Sequence, residues 1–161
     1  MIQVIAGKKG SGKTKRIIDM ANVASRDSKH DIVFIDDDAR YMYDLRHEVR
    51  FINAGEYELA SDQMFMGFLC GIVSQNFDLG LVFVDAFKKL FKADLSTSEW
   101  LFERLETISK NHNVDFVLSI SADVEELPAF IGNLLYHLGY TQHFTWSSLL
   151  HGIHLSCFHW D

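Results

Sequence analysis

Short continuous apolar runs alternate along the chain with longer stretches in which apolar residues return every three or four positions. Ile2-Gln3-Val4-Ile5-Ala6 reads as a buried strand. Glycines follow at once, then a helix with Ile17, Met20, Ala21 and Ala24 on one face. Ile32-Val33-Phe34-Ile35 predicts a second strand, ended by Asp36-Asp37-Asp38, and Val49-Arg50-Phe51-Ile52 a weaker third. Ser61 is placed to cap a helix striped by Phe65, Phe68, Leu69 and Ile72. Leu81-Val82-Phe83-Val84, closed by Asp85, is the fourth strand. Ser96 and Glu99 have capping-box spacing before a helix carrying Leu101, Leu105 and Ile108. Phe116-Val117-Leu118-Ser119-Ile120 is the fifth strand, after which Asp123 is expected to cap a short helix interrupted by Pro128.

Apolar strands alternating with amphipathic helices imply an α/β fold of three layers, with a mainly parallel five-stranded sheet covered on both faces. Ligands of such sheets bind outside the carboxyl ends of the strands. Those ends carry Gly7–Thr14, Asp36–Asp38, Asp85 and Ser119–Asp123, so four polar clusters should meet at one edge. Residues 1–128 form the expected domain. Residues 129–161 hold no Lys, Arg or Glu but five of the eight histidines, and show no clear period.

Composition narrows the class. With 161 residues, 48% hydrophobic and 23% charged, the chain suits one globular domain. Cys70 and Cys157 make no disulfide framework, and no charged-then-apolar leader is evident, so a reduced cytoplasmic setting is expected. Met64–Val73, the longest apolar stretch, is too short to span a bilayer and reads as a buried helix. Net charge is −7, which argues against general nucleic-acid binding. The charge is uneven. Residues 1–30 hold seven Lys/Arg against two Asp, and residues 31–161 hold eight Lys/Arg against twenty Asp/Glu. The basic part surrounds the glycines, where a polyanion would sit.

Gly7-Lys8-Lys9-Gly10-Ser11-Gly12-Lys13-Thr14 matches G-x-x-x-x-G-K-[ST] in full. Glycines permit a tight loop whose N–H groups point inward, and the loop opens onto a helix N-terminus that favours anions. Gly7, Lys9, Gly10, Ser11, Gly12, Lys13, Thr14 and Lys15 are therefore expected around the phosphates of a nucleoside triphosphate. Lys13 would neutralise phosphate charge. Thr14 and Asp85 would hold Mg²⁺, Asp85 ending an apolar strand in the Walker B manner. Lys13 and Asp85 are the expected catalytic residues. By average residue usage a chance match is roughly a one-percent event or rarer. No N-K-x-D guanine motif is present, which favours adenine and hence ATP.

Ala86 stands where many P-loop ATPases have a glutamate that orients water. Asp36, Asp37 or Asp38 could substitute, although a triplet of this kind also reads as a solvated loop. Ser119 is a candidate γ-phosphate sensor, or else Ser121 and Asp123 simply cap a helix. Arg40, Arg46 and Arg50 are surface arginines, one of which could reach a neighbouring subunit's nucleotide. His151, His154, Cys157 and His159 are metal-ligand types at a spacing that fits no zinc pattern.

Ile5–Ile18, Phe83-Val84-Asp85 and the stretch from Ser119 to Pro128 resemble a family of short Firmicutes-type bacterial P-loop proteins, often labelled ATP-binding or twitching motility protein PilT. The resemblance covers about residues 1–128 and implies ATP binding with or without hydrolysis. The order of strands and helices also resembles the nucleotide core of thymidine kinase, whose zinc-bearing lasso and Asp-Glu pair have no counterpart here. The expectation is an ATP-binding P-loop NTPase, a slow ATPase or nucleotide-dependent switch. A small phosphotransferase and a non-catalytic sensor are the alternatives, and a homo-oligomer or a protein partner is compatible with each.

Overall fold

A computed structural model describes residues 1–90 and 94–135. Five strands form one sheet: β1 (Ile2–Gly7), β2 (Asp31–Asp36), β3 (Val49–Asn53), β4 (Leu79–Val84) and β5 (Asp115–Ser121). Its order is β1-β5-β4-β2-β3, and every pairing is parallel. The helices are α1 (Lys13–Asp27), α2 (Asp62–Ser74), α3 (Phe87–Leu90), α4 (Glu99–His112) and α5 (Ala129–Gly132). The architecture is α/β, and all five expected strands form, including β3, which takes one edge of the sheet.

The strands are continuous apolar runs because both faces are covered. Alternate residues serve opposite faces. Ile5, Ile32, Phe34, Leu81, Phe83 and Val117 meet Ile17, Ile18, Ala21 and Ala24 of α1. Val4, Val33, Ile35, Val82, Val84 and Leu118 meet α2 and α4 through Phe65, Leu69, Leu101 and Leu105. The link from β2 to β3 contains a single 3-10 turn, Met42–Asp44, and packs Tyr41 and Leu45 beside α1.

Several local expectations change. The Ser96–Glu99 capping box does not form. Residues 95–97 make a separate 3-10 turn, with the Asp94 carboxylate accepting the Ser96 N–H at 3.0 Å. The Ser98 hydroxyl turns back to the Asp94 carbonyl at 2.8 Å, and α4 begins at Glu99 without a side-chain cap. Asp123 is the N-cap residue of only a 3-10 turn, Val124–Glu126, and makes no side-chain cap hydrogen bond there; its carboxylate pairs with Lys8 at 3.0 Å. Helix α2 is not buried all round: Met64, Gly67 and Gly71 are exposed and Phe68 is half-buried. Ser61 does cap it, accepting the Met64 N–H at 3.2 Å.

The core runs on past Pro128. Ile131 of α5 is fully buried within it, and Phe130 meets Phe102 edge-on at 5.6 Å. The Val4 N–H donates to the Leu134 carbonyl at 2.8 Å, and Leu135 bridges Val4 in parallel on the outer edge of β1. Thus part of the segment that the sequence pattern assigns to the tail packs on the domain. The histidine-rich stretch from His137 to His159 lies outside the described residues. Replacing a fully buried aliphatic side chain by alanine leaves a cavity. Ile131→Ala should therefore cost about 2–5 kcal/mol in urea unfolding; an unchanged midpoint would mean that α5 is not part of the folding unit.

Candidate functional site

Parallel register brings polar residues into a row where the strands end. Leu118 pairs with Val84 and Val84 with Ile35, so the residues that follow, Ser119, Asp85 and Asp36, stand side by side. Asp36 pairs with Asn53, and Ser119 with Ile5 of β1. Two residues earlier, on the same face, the strands carry Val117, Phe83, Phe34 and Phe51. Phe34 stacks on Phe83 at 6.2 Å and on Phe51 at 6.3 Å between centroids. The polar row therefore rests on an apolar floor, on the face covered by α1.

The row is buried. Ser119 is 2%, Asp36 3% and Asp85 4% exposed. The Ser119 hydroxyl donates a very short hydrogen bond to the Asp85 carboxylate. Ser121 is exposed at the end of β5 and Asp123 lies beyond it, so of these three residues it is Ser119 that joins the row.

Beside the row, the glycine-rich loop joins β1 to α1. Gly10 and Gly12 have φ of 84° and 81°, left-handed conformations that disfavour any other residue. Gly12 is the N-cap of α1, and no acidic residue stands in the first turn. Lys13 is 7% exposed and folds back, its ammonium donating to the Gly7 and Lys8 carbonyls at 2.8 Å each and to the Ser11 hydroxyl at 3.3 Å. Burial pulls its pKa below the ordinary lysine value, and the nearby Asp85 charge opposes that shift. Thr14 is half-buried, while Lys9, Ser11 and Lys15 are exposed around the loop.

The Asp triplet divides. Asp38 is a surface carboxylate held by Arg40 at 2.7 Å, and Arg40 holds its pKa below the usual range. Asp37 is half-buried and pairs with Lys89 at 3.2 Å. Asp36 is no solvated loop residue: it ends β2 as Asp85 follows β4. Its carboxylate accepts the Asp37 N–H at 2.7 Å. Burial, the adjoining Asp37 carboxyl and the Asp85 charge raise its pKa to about 7. The signal was in the sequence, since each of these aspartates directly follows an apolar strand. Asn53, the last member of the row, carried no such signal. Arg40 and Arg46 are engaged at the surface by Asp38 and Glu48, and Arg50 lies exposed on β3.

Two backbone features fix the surroundings. Ala86 has φ 51°, a left-handed conformation costing about 1–2 kcal/mol in a non-glycine residue. Its carbonyl accepts the Lys89 N–H at 2.7 Å, and this turn aims Lys89 back at Asp37. Gly55, just after Asn53, is exposed, yet a Cβ there would stand 2.3 Å from the Asp37 carbonyl oxygen.

The described residues contain no group of three or more His, Cys, Asp or Glu able to hold a metal. A Mg²⁺ ion needs less, since one or two carboxylates together with substrate phosphates suffice. No described helix is long and apolar enough to cross a membrane. No protein-family model matches the chain, and no curated protein matches it significantly.

An acid with a native pKa above its unfolded value binds more protons when folded, so its contribution to stability falls as pH rises between the two values. For Asp36 that window runs from 3.8 to about 7. Asp36→Asn can still accept the Asp37 N–H. It should melt higher than the parent at pH 8, and the difference should shrink toward pH 4. An equal difference at both pH values would show that Asp36 is charged throughout.

Proposed function

We propose that the chain is a P-loop protein that binds ATP with Mg²⁺ and hydrolyses it slowly in the cytoplasm. One observation carries this reading: a glycine loop ending in a buried lysine opens a helix beside a buried strand-end aspartate, close enough for the aspartate to act on the lysine's charge. The motif supplies the residue types, and β5, inserted between the loop strand and the Asp85 strand, brings Ser119 to Asp85.

The roles follow from the chemistry. Backbone N–H groups of residues 9–14 at the start of α1 would cradle phosphate oxygens. Lys13 would leave its loop carbonyls and neutralise the β- and γ-phosphates. Lys9 and Lys15 add positive charge around the same loop. Thr14 and Asp85 would hold Mg²⁺, which when bound neutralises charge on the phosphates. Ser119 orients the Asp85 carboxylate by its hydrogen bond. With alanine at 86 in place of the usual glutamate, any carboxylate that holds the nucleophile must act from another strand, which slows the step. Turnover should be well below the roughly 10 s⁻¹ typical of enzymes.

Mg²⁺-ATP at about 100 times its Kd should stabilise the parent by roughly 2.7 kcal/mol, read as a rise in melting temperature. Lys13→Ala should lose most of that rise while keeping a cooperative melt without nucleotide. Equal stabilisation of parent and variant would remove Lys13 from the site.

Asp85→Asn should still bind ATP but respond less to Mg²⁺ than the parent, in titrations with and without a chelator. The metal role of Asp85 is wrong if the affinity of the parent for ATP is indifferent to Mg²⁺.

A further inference from the structure

We propose that Asp36 is the carboxylate that holds and orients the attacking water, the task a glutamate at position 86 performs in other P-loop ATPases. The inference rests on the nucleotide reading above and goes on to name the group that completes the site.

Three observations select Asp36. The first is its place. Across the sheet the order is β1 with the loop, β5 with Ser119, β4 with Asp85 and β2 with Asp36. Neighbouring strands stand roughly 4.8 Å apart. Asp36 is thus the next carboxylate outward from Asp85, on the face covered by α1. The second is its bonding. Asp38 is neutralised by Arg40 and Asp37 by Lys89, whereas Asp36 forms no salt bridge among the described residues. The third is its environment. A carboxylate 97% withdrawn from solvent over Phe34 and Phe83 loses hydration without gaining a cation among the described residues. Such a group weakens the fold, and a polar ligand at the strand ends accounts for its presence.

Position 86 itself is poorly suited to the task. Its backbone is left-handed, and the turn it makes serves to direct Lys89 onto Asp37. That pairing leaves the Asp37 carboxylate engaged by a cation.

In the step, Asp36 accepts a hydrogen bond from water and fixes its oxygen toward the γ-phosphorus. The water oxygen forms the new bond to phosphorus. The bond from the γ-phosphorus to the β–γ bridging oxygen breaks, and its electron pair stays on ADP. The proton shed by water passes to a γ-phosphoryl oxygen. ATP and water thereby become ADP and dihydrogen phosphate, with atoms and charge in balance.

The test measures phosphate release and the Mg²⁺-ATP melting shift for the parent, Asp36→Asn and the surface control Asp38→Asn. Asp36→Asn should lower kcat about 100-fold, the low end of what a positioned side chain contributes. Its KM and its ATP-dependent melting shift should stay within about threefold and a few degrees of the parent, and Asp38→Asn should match the parent throughout. If Asp36→Asn does not fold, Asp36→Ser takes its place, judged by the same two readings. An unchanged kcat overturns the proposal. So does a joint loss of kcat and melting shift, which would make Asp36 a structural residue. A parent that binds ATP without cleaving it also overturns the proposal but leaves the nucleotide reading standing. A parent that binds no ATP removes both.

Discussion

A parallel sheet covered on both faces gives polar side chains one low-cost location, the strand ends, and the rest of this molecule follows from that constraint. Because β2, β4 and β5 run in register, the polar residues that end their apolar runs fall at one level, and Ser119, Asp85 and Asp36 become neighbours without any loop having to aim them. The loop after β1 then needs only to bring the N-terminus of α1 and Lys13 to the same edge. Beneath the row, Phe83, Phe34 and Phe51 stack across neighbouring strands and give it an apolar floor.

The arrangement is costly to the fold. Two carboxylates stand on adjacent strands over aromatic rings, and one of them has no cation among the described residues. Lys13 is buried too, its ammonium satisfied by carbonyls of the loop it would serve. Ala86 holds a left-handed backbone that glycine would adopt with less strain. Unfavourable burial, a withdrawn lysine and a strained turn are concentrated at one edge of a sheet whose strands are otherwise mostly apolar. Local conflict of this kind inside an otherwise consistent fold is characteristic of functional sites.

The strands were legible because unbroken apolar runs such as Leu81–Val84 have no other stable use in a chain of this composition. The loop was legible because its residue types are dictated by backbone geometry, and Gly10 and Gly12 adopt the positive φ the pattern calls for. Helix starts were less legible. Ser96 and Glu99 had capping spacing, yet Asp94 claimed the Ser96 N–H and moved the start of α4. The special character of Asp36 within its triplet depends on strand register and on Lys89 and Arg40 reaching its neighbours, contacts that sequence spacing does not encode. Likewise Ile131 and Leu134 follow a proline in an aperiodic stretch, and only tertiary contact with Phe102 and Val4 reveals their place.

Gly55 shows how far such a site extends in sequence. It has no side chain, touches no proposed ligand and lies at the surface, where most positions accept most residues. Its Cα nevertheless abuts the carbonyl of Asp37, so even alanine there would push on the segment that carries the acidic residues. In a saturation mutagenesis screen position 55 would behave like an interior position, intolerant across the whole alphabet. A map of tolerance drawn from solvent exposure alone would therefore misplace the boundary of the functional region at this glycine.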